Sequence, residues 1–309
     1  MFTIVEKRKR YFIFSGVIIT LGILAMIYSF VTTGAPFPLG VDFRSGTRFE
    51  VQFTEPVTEK QVEDVFVSFD IKHPSIIALR GEGLENAWQI RSSFVTTDEA
   101  QAILQALNDQ VAPLNVEASQ FQSVSATVGQ EVTRAAFIAV LVAAVIILVY
   151  IMFAFRQVPD PFRYGVCAVT AMLHDLFVIF GFAAITGMFL GWEVDALFLT
   201  AVLTVAGFSL QDTIVVFDRI RENINRRPTE KYEMIVNRSI LETIHRSLAT
   251  QLNAMFVLVA ILLFGGASIK PFIAVLFVGL LSGTYSSIFT AVPMLVAWEK
   301  GEIPFLKTA

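Results

Sequence analysis

The chain has 309 residues, 55% of them hydrophobic and only 16% charged, with a net charge of −4. Soluble domains carry roughly a quarter charged residues, so this balance and a positive mean hydropathy belong to a membrane protein. The basic residues form no broad surface, which speaks against a nucleic-acid partner, and the lone cysteine, Cys167, excludes an intrachain disulfide and a thiolate metal cluster.

The N-terminus carries Lys7-Arg8-Lys9-Arg10 ahead of an apolar run at 11–31. That start resembles a signal peptide, yet the run is too long and no convincing small-residue cleavage site follows, so a retained anchor is expected. Between 34 and 133 the composition turns to that of a soluble domain. Alternation predicts a strand over 47–53. Thr58, with Gln61 three residues on, reads as the N-cap of a helix over 58–69. Strands follow at 75–80 and 88–92, separated by a Gly81-Glu82-Gly83 turn region. Thr97, backed by Glu99 and Ala100, opens a helix to about Val111, and 115–124 reads as a last strand. The order βαββαβ is that of a ferredoxin-like sandwich. His73 in this domain has no ligand partners nearby, so no metal site is expected.

Five more apolar runs, at 135–155, 164–188, 196–217, 248–264 and 272–298, approach the roughly 20 residues needed to cross a hydrocarbon core. With the first they make six spans. The expected fold is an α-helical polytopic membrane protein with an inserted α+β exterior domain. Its parts are the N-terminus and first span (1–33), the exterior domain (34–133), a five-helix membrane region with a basic loop at 219–246 (134–299), and a tail (300–309). Lys and Arg in short loops are held on the cytoplasmic side. The N-terminal cluster, Arg156, Arg163 and the basic loop share one side, whereas 187–195 has no Lys or Arg. Both termini are therefore expected in the cytoplasm, with Lys270 a single exception on the other side. The basic stretch at 219–227 is expected beside anionic lipid, and Asp218, Arg219 and Glu222 can lock the loop.

Charge inside the spans is the strongest functional signal, because an ionisable side chain at that depth is costly and marks a protein interior or a water path. Asp212 lies on a helical stripe with Phe208, Val215 and Arg219. It reads as a protonatable group coupled to the bundle, against a static polar contact between helices. Arg246, followed by Thr250 and Asn253 at i+4 and i+7, makes a polar stripe at the start of the fifth span. It either approaches Asp212 as an ion-pair switch or merely reaches the headgroups; spacing alone leaves both open. His174 and Asp175 in the third span point about 100° apart, so one of them faces the bundle interior, as a relay or as a structural hydrogen bond. Asp175 is the stronger of the two. His245 reads as interfacial. In the last span Gly279, Ser282, Gly283, Ser286, Ser287 and Thr290 favour close helix packing over a polar path.

Five segments carry a resemblance over nearly the whole chain. They are Gly40-Val41-Asp42-Phe43-Arg44-Ser45-Gly46-Thr47, Leu173-His174-Asp175, Gly207-Phe208-Ser209-Leu210-Gln211-Asp212-Thr213, the stretch from Val215 through Asp218 and Arg219 to Asn223, and Ile244-His245-Arg246-Ser247. This ordered set resembles the SecF family of bacterial SecDF protein-export complexes, within the resistance-nodulation-division superfamily. The resemblance implies a non-enzymatic, cofactor-free auxiliary subunit of Sec-dependent translocation in the bacterial plasma membrane, driven by the proton-motive force. Its implied partners are a SecD-like subunit, a SecYEG-type channel with its associated subunits, and the unfolded exported polypeptide. Asp212 matches the family's proton-responsive aspartate and Arg246 its essential arginine, which favours the pair. Arg44 and Ser45 stand where the family commonly has Thr and Gly, Phe208 replaces a Tyr, and Gln211 replaces an Asn. Two rival readings remain: a small-molecule exporter of the same superfamily, which would need a second exterior domain and a duplicated half, and a passive membrane scaffold.

Overall fold

A computed structural model describes residues 3–72, 74–79, 84–266 and 269–303; His73 and the Gly81-Glu82-Gly83 turn lie outside them. The chain divides into two compact units, Leu39–Phe137 and the pair of segments Met1–Pro38 and Ile138–Ala309.

The smaller unit contains a one-turn helix at Val41–Arg44, four strands, β1 (Gly46–Gln52), β2 (Ser75–Ala78), β3 (Ala87–Ser92) and β4 (Gln120–Val124), and two longer helices at Glu59–Ser68 and Thr97–Gln110. The sheet order is β2-β3-β1-β4 with every pairing antiparallel, the arrangement expected of a ferredoxin-like βαββαβ chain. Alternation in β1 explains the core: Phe49 and Val51 turn to one face, where Ile90 lies opposite Phe49, and meet Val62, Val65 and Phe66 of the first helix and Ile103 and Leu107 of the second. Both helices open with a full capping box. Thr58 pairs with Gln61 as the sequence indicates, and Thr96, one residue earlier than expected, pairs with Glu99. The last strand is shorter than predicted. Val116–Ala118 is a 3-10 turn, and the Ser119 hydroxyl takes the Gln52 N–H that a longer ladder would need.

The loop into β1 is conformationally demanding. Gly46 has φ 133°, and a Cβ there would lie 2.7 Å from the Ser92 carbonyl oxygen, so no side chain fits. Ser45, at φ 67° and ψ 158°, occupies a region that is essentially glycine's and costs of order 1–3 kcal/mol. Asp42 is buried nearby and accepts a 2.6 Å hydrogen bond from Gln122 Nε2.

The larger unit is helical. Its helices are αA (Arg8–Thr33), αB (Ala126–Ala154, which begins within the smaller unit), αC (Pro161–Leu190), αD (Ala196–Arg226), αE (Tyr232–Phe264) and αF (Lys270–Ser286), the last continuing through a π turn at Ser287–Ala291 into αG (Val292–Glu299). Among the described residues six segments are long and apolar enough to cross a membrane. αC, αD and αF–αG carry most of the buried side chains, while αB and αE present Leu141, Phe153, Phe256 and Leu263 outward. αA crosses αC where Gly22 meets Gly181: a Cβ on Gly181 would stand 2.6 Å from the Gly22 Cα, so the backbones touch.

The basic stretch at 219–246 is mostly helix, because αD runs to Arg226 and αE starts at Tyr232. Its charges pair along and between these helices: Asp218 with Arg221, Glu222 with both Arg219 and Arg226, and Arg219 with Glu242. Hydropathy ends a span at the first charges; the helix itself does not. Next to this end, Arg8 binds Glu302 through two nitrogens and Glu233 through a third contact, tying the chain's two ends together.

Two outcomes test this account. Ser45→Gly should stabilise the smaller unit by about 1 kcal/mol, since the relieved strain exceeds the 0.5–1 kcal/mol entropic cost of glycine, seen as slower amide exchange in β1. The Thr96 N–H, with its hydroxyl, donates to the Glu99 carboxyl and holds it below the usual carboxylate range. A lowered folded value adds stability that is present above the unfolded value and is lost as pH falls through the folded one. Amides in the first turn of the Thr97–Gln110 helix should therefore lose protection on acidification, and Glu99→Gln should remove that pH dependence.

Candidate functional site

Three helices of the larger unit meet around a carboxylate. Asp175 of αC is wholly buried. Its Oδ2 accepts from Ser209 Oγ of αD at 2.6 Å and from Ser286 Oγ of αF at 2.8 Å, and its Oδ1 accepts from Ser282 Oγ at 2.6 Å. His174 Nδ1 lies 3.1 Å from the same Oδ1. The 282/286 spacing stacks both serines on one face of αF, and Gly283 between them lets Ser209 approach: a Cβ there would sit 3.2 Å from the Ser209 Cβ. One turn along αD, Thr213 Oγ1 donates to Ser287 Oγ, which donates to the Ser209 carbonyl.

The last-span serines thus line a buried polar centre, while Gly279 and Gly283 make the close helix contacts expected of this stretch. His174 is also buried. Its ring stacks on Tyr285 with centroids 6.0 Å apart, and among the described residues its Nε2 has no hydrogen-bond partner.

Asp212 occupies the next turn of αD and is 4% exposed. Its Oδ2 accepts a 2.7 Å hydrogen bond from Gln251 Nε2 of αE. Arg246 does not stand against it. That arginine is exposed, and among the described residues it makes no ion pair. The expected direct pair is therefore corrected for this conformation, and the cause is helical phase. The sequence stripe Arg246–Thr250–Asn253 is exposed, whereas the parallel stripe Thr243–Ser247–Gln251 is buried. Ser247 Oγ and Gln251 Oε1 have no hydrogen-bond partner among the described residues. On αD the same shift applies: Ser209, Asp212 and Val216 face inward, with Phe208 and Val215 only partly covered.

The remaining motif residues sit apart from this centre. Gln211 is exposed; Asp218 and Arg219 belong to the charge network at the end of αD; Gly40, Asp42 and Gly46 shape the loop into β1. Sequence reasoning missed Ser209, Ser282, Ser286 and Gln251 as partners of the two carboxylates. The signal was present in the i, i+4 serine pair and in an amide within an apolar run.

Comparison with known proteins places this arrangement. Residues 103–301 match the protein export membrane protein SecD/SecF C-terminal family, and residues 30–57 match the SecD/SecF GG motif. The chain belongs to the SecD/SecF family. It is 41% identical to the protein translocase subunit SecF of Anaerolinea thermophila over 98% of this chain and 96% of that one. It is 35% identical to the protein translocase subunit SecDF of Bacillus subtilis, covering 96% of this chain and 38% of that longer protein. The crystal structure of SecDF from Thermus thermophilus, titled a translocon-associated membrane protein, superposes with a TM-score of 0.78 at 26% identity, over 97% of this chain and 39% of that chain. The chain thus spans about two fifths of such SecDF proteins.

Removing one hydroxyl from the Asp175 centre leaves a buried acceptor one bond short, which costs about 1–3 kcal/mol. Ser282→Ala should accordingly unfold at a lower temperature in detergent. Thr284→Ala, whose hydroxyl bonds only its own helix at the Leu280 carbonyl, should unfold close to the unsubstituted protein.

Proposed function

We propose that this chain is an auxiliary subunit of Sec-dependent protein translocation that couples the proton-motive force to export of an unfolded polypeptide on the outer side of the membrane. Its family and its SecF relatives support the auxiliary role. The observation that carries the coupling is Asp212: a carboxylate 4% exposed inside an apolar span, met by a single neutral amide.

A protonated Asp212 needs little more than the Gln251 amide. Once deprotonated, it bears a charge that one neutral donor balances poorly in a low-dielectric interior. Arg246 lies on the same helix as Gln251, five residues earlier, which is about 7.5 Å along the axis and about 140° around it. Rotation of αE combined with an axial shift of about 7.5 Å, part of it spanned by the long arginine side chain, exchanges the amide for the guanidinium, so proton loss and helix movement become one event. One charge crossing 100 mV supplies about 2.3 kcal/mol, enough to shift a two-state equilibrium by nearly fifty-fold. Asp175, already saturated with hydroxyl donors, serves as the fixed neighbour of this switch and a further station for the proton.

In this reading both termini and the charge network at the ends of αD and αE lie in the cytoplasm of a bacterial cell, and the smaller unit lies outside. A SecD-like subunit supplies the rest of the ion path, the complex works beside a SecYEG-type channel, and membrane lipid covers the apolar outer faces of αB and αE. The test is secretion with and without a proton gradient. Asp212→Asn should lose the stimulation by the gradient while the complex still copurifies, and Asp212→Glu should be impaired as well. Gradient-dependent export at the normal level in Asp212→Asn would end the coupling proposal, and normal export in Asp212→Glu would favour a passive scaffold.

A further inference from the structure

On the other side of Asp175, where αC ends and αD and αF begin, the polar lining stops. Ile179 of αC and Val205 of αD, both wholly buried, press onto Gly279 of αF. A Cβ on Gly279 would stand 2.3 and 2.9 Å from the two Val205 methyls and 3.1 Å from Ile179 Cδ1. Val202, Leu276 and Leu280 are buried around them. Beyond this layer a pocket of about 20 Å3 opens between Ala183, Thr186, Glu193, Asp195, Phe198 and Val275, large enough for one water molecule. Ala183 and Asp175 are eight residues apart on αC, about 12 Å, with Ile179 midway.

We propose that Ile179, Val205 and Gly279 form a gate between this acidic pocket and the Asp175 centre, resting on the proton-coupled reading above. A proton moves along water or hydrogen-bonding side chains, and the side chains of this layer are apolar and packed to contact. The path is therefore interrupted here in the present conformation. The barrier is thin at Gly279, which brings no side chain, so the Val205 and Ile179 methyls lie directly on backbone there. A displacement of αF smaller than the methyls it touches admits water. The same helix carries Ser282 and Ser286 on Asp175, and Ser282 is only three residues, about 4.5 Å, from Gly279. A change of charge at Asp175 thus acts on the helix that closes the gate.

The test uses the complex purified with its natural partners and reconstituted in vesicles holding a pH-sensitive dye, with acid pulsed outside. Val205→Ala should speed acidification about tenfold, the factor given by a barrier about 1.4 kcal/mol lower. Gly279→Ala should reduce the rate to that of empty vesicles, and Val205→Ala combined with Gly279→Ala should restore it. A leak opened by a packing defect would persist when Asp212→Asn is added to Val205→Ala, whereas flow through the gate would then fall to the rate of empty vesicles. An unchanged rate in Gly279→Ala, in preparations where Asp212→Asn is silent, would overturn the gate and leave the coupling intact. No flux above empty vesicles from the unsubstituted complex would remove both. If Gly279→Ala fails to assemble, Val205→Ala decides by itself: a rate at or below the unsubstituted one overturns the proposal.

Discussion

Hydrocarbon offers no hydrogen bonds, so a carboxyl group inside a membrane bundle must be satisfied by the protein that buries it. Asp175 imposes that requirement on αC, αD and αF together: three hydroxyls from two helices converge on one side chain of a third. The glycine at 283 and the serines around it exist in this arrangement because any larger residue would hold a donor out of reach. Helix spacing, helix phase and the choice of small side chains all descend from that one group.

The contrast with Asp212 separates structure from movement. Asp175 is held by three hydroxyl donors from αD and αF. Among the described residues Asp212 has one neutral amide on αE, a helix whose outward face is largely uncovered, and Arg246 lies on the exposed side of that same helix.

Much of this was legible in the residues. Capping at Thr58, the alternation of β1 and the six apolar runs gave the fold class because each rests on local periodicity. Helix ends were harder to read: the ion pairs of Arg219, Glu222 and Glu242 extend αD and αE past the point where hydropathy falls. Site partners were hardest, since helical periodicity specifies a stripe only to within a residue. Choosing 246, 250 and 253 instead of 243, 247 and 251 turns the helix by about 100° and exchanges an exposed arginine for a buried glutamine. Ser45 shows the complementary case, in which a motif departure is accepted by the backbone at the expense of strain.

The wide turn at Ser287–Ala291 has a bearing on how such a chain can vary. An ordinary transmembrane helix tolerates no change in residue count, because each one added or removed swings everything beyond it to a new azimuth. A π turn already stores one surplus residue. Here it lies between the serines that serve Asp175 and the buried run ending at Trp298. Loss of one position from this stretch would therefore tighten it to regular winding and keep the upstream serines in register.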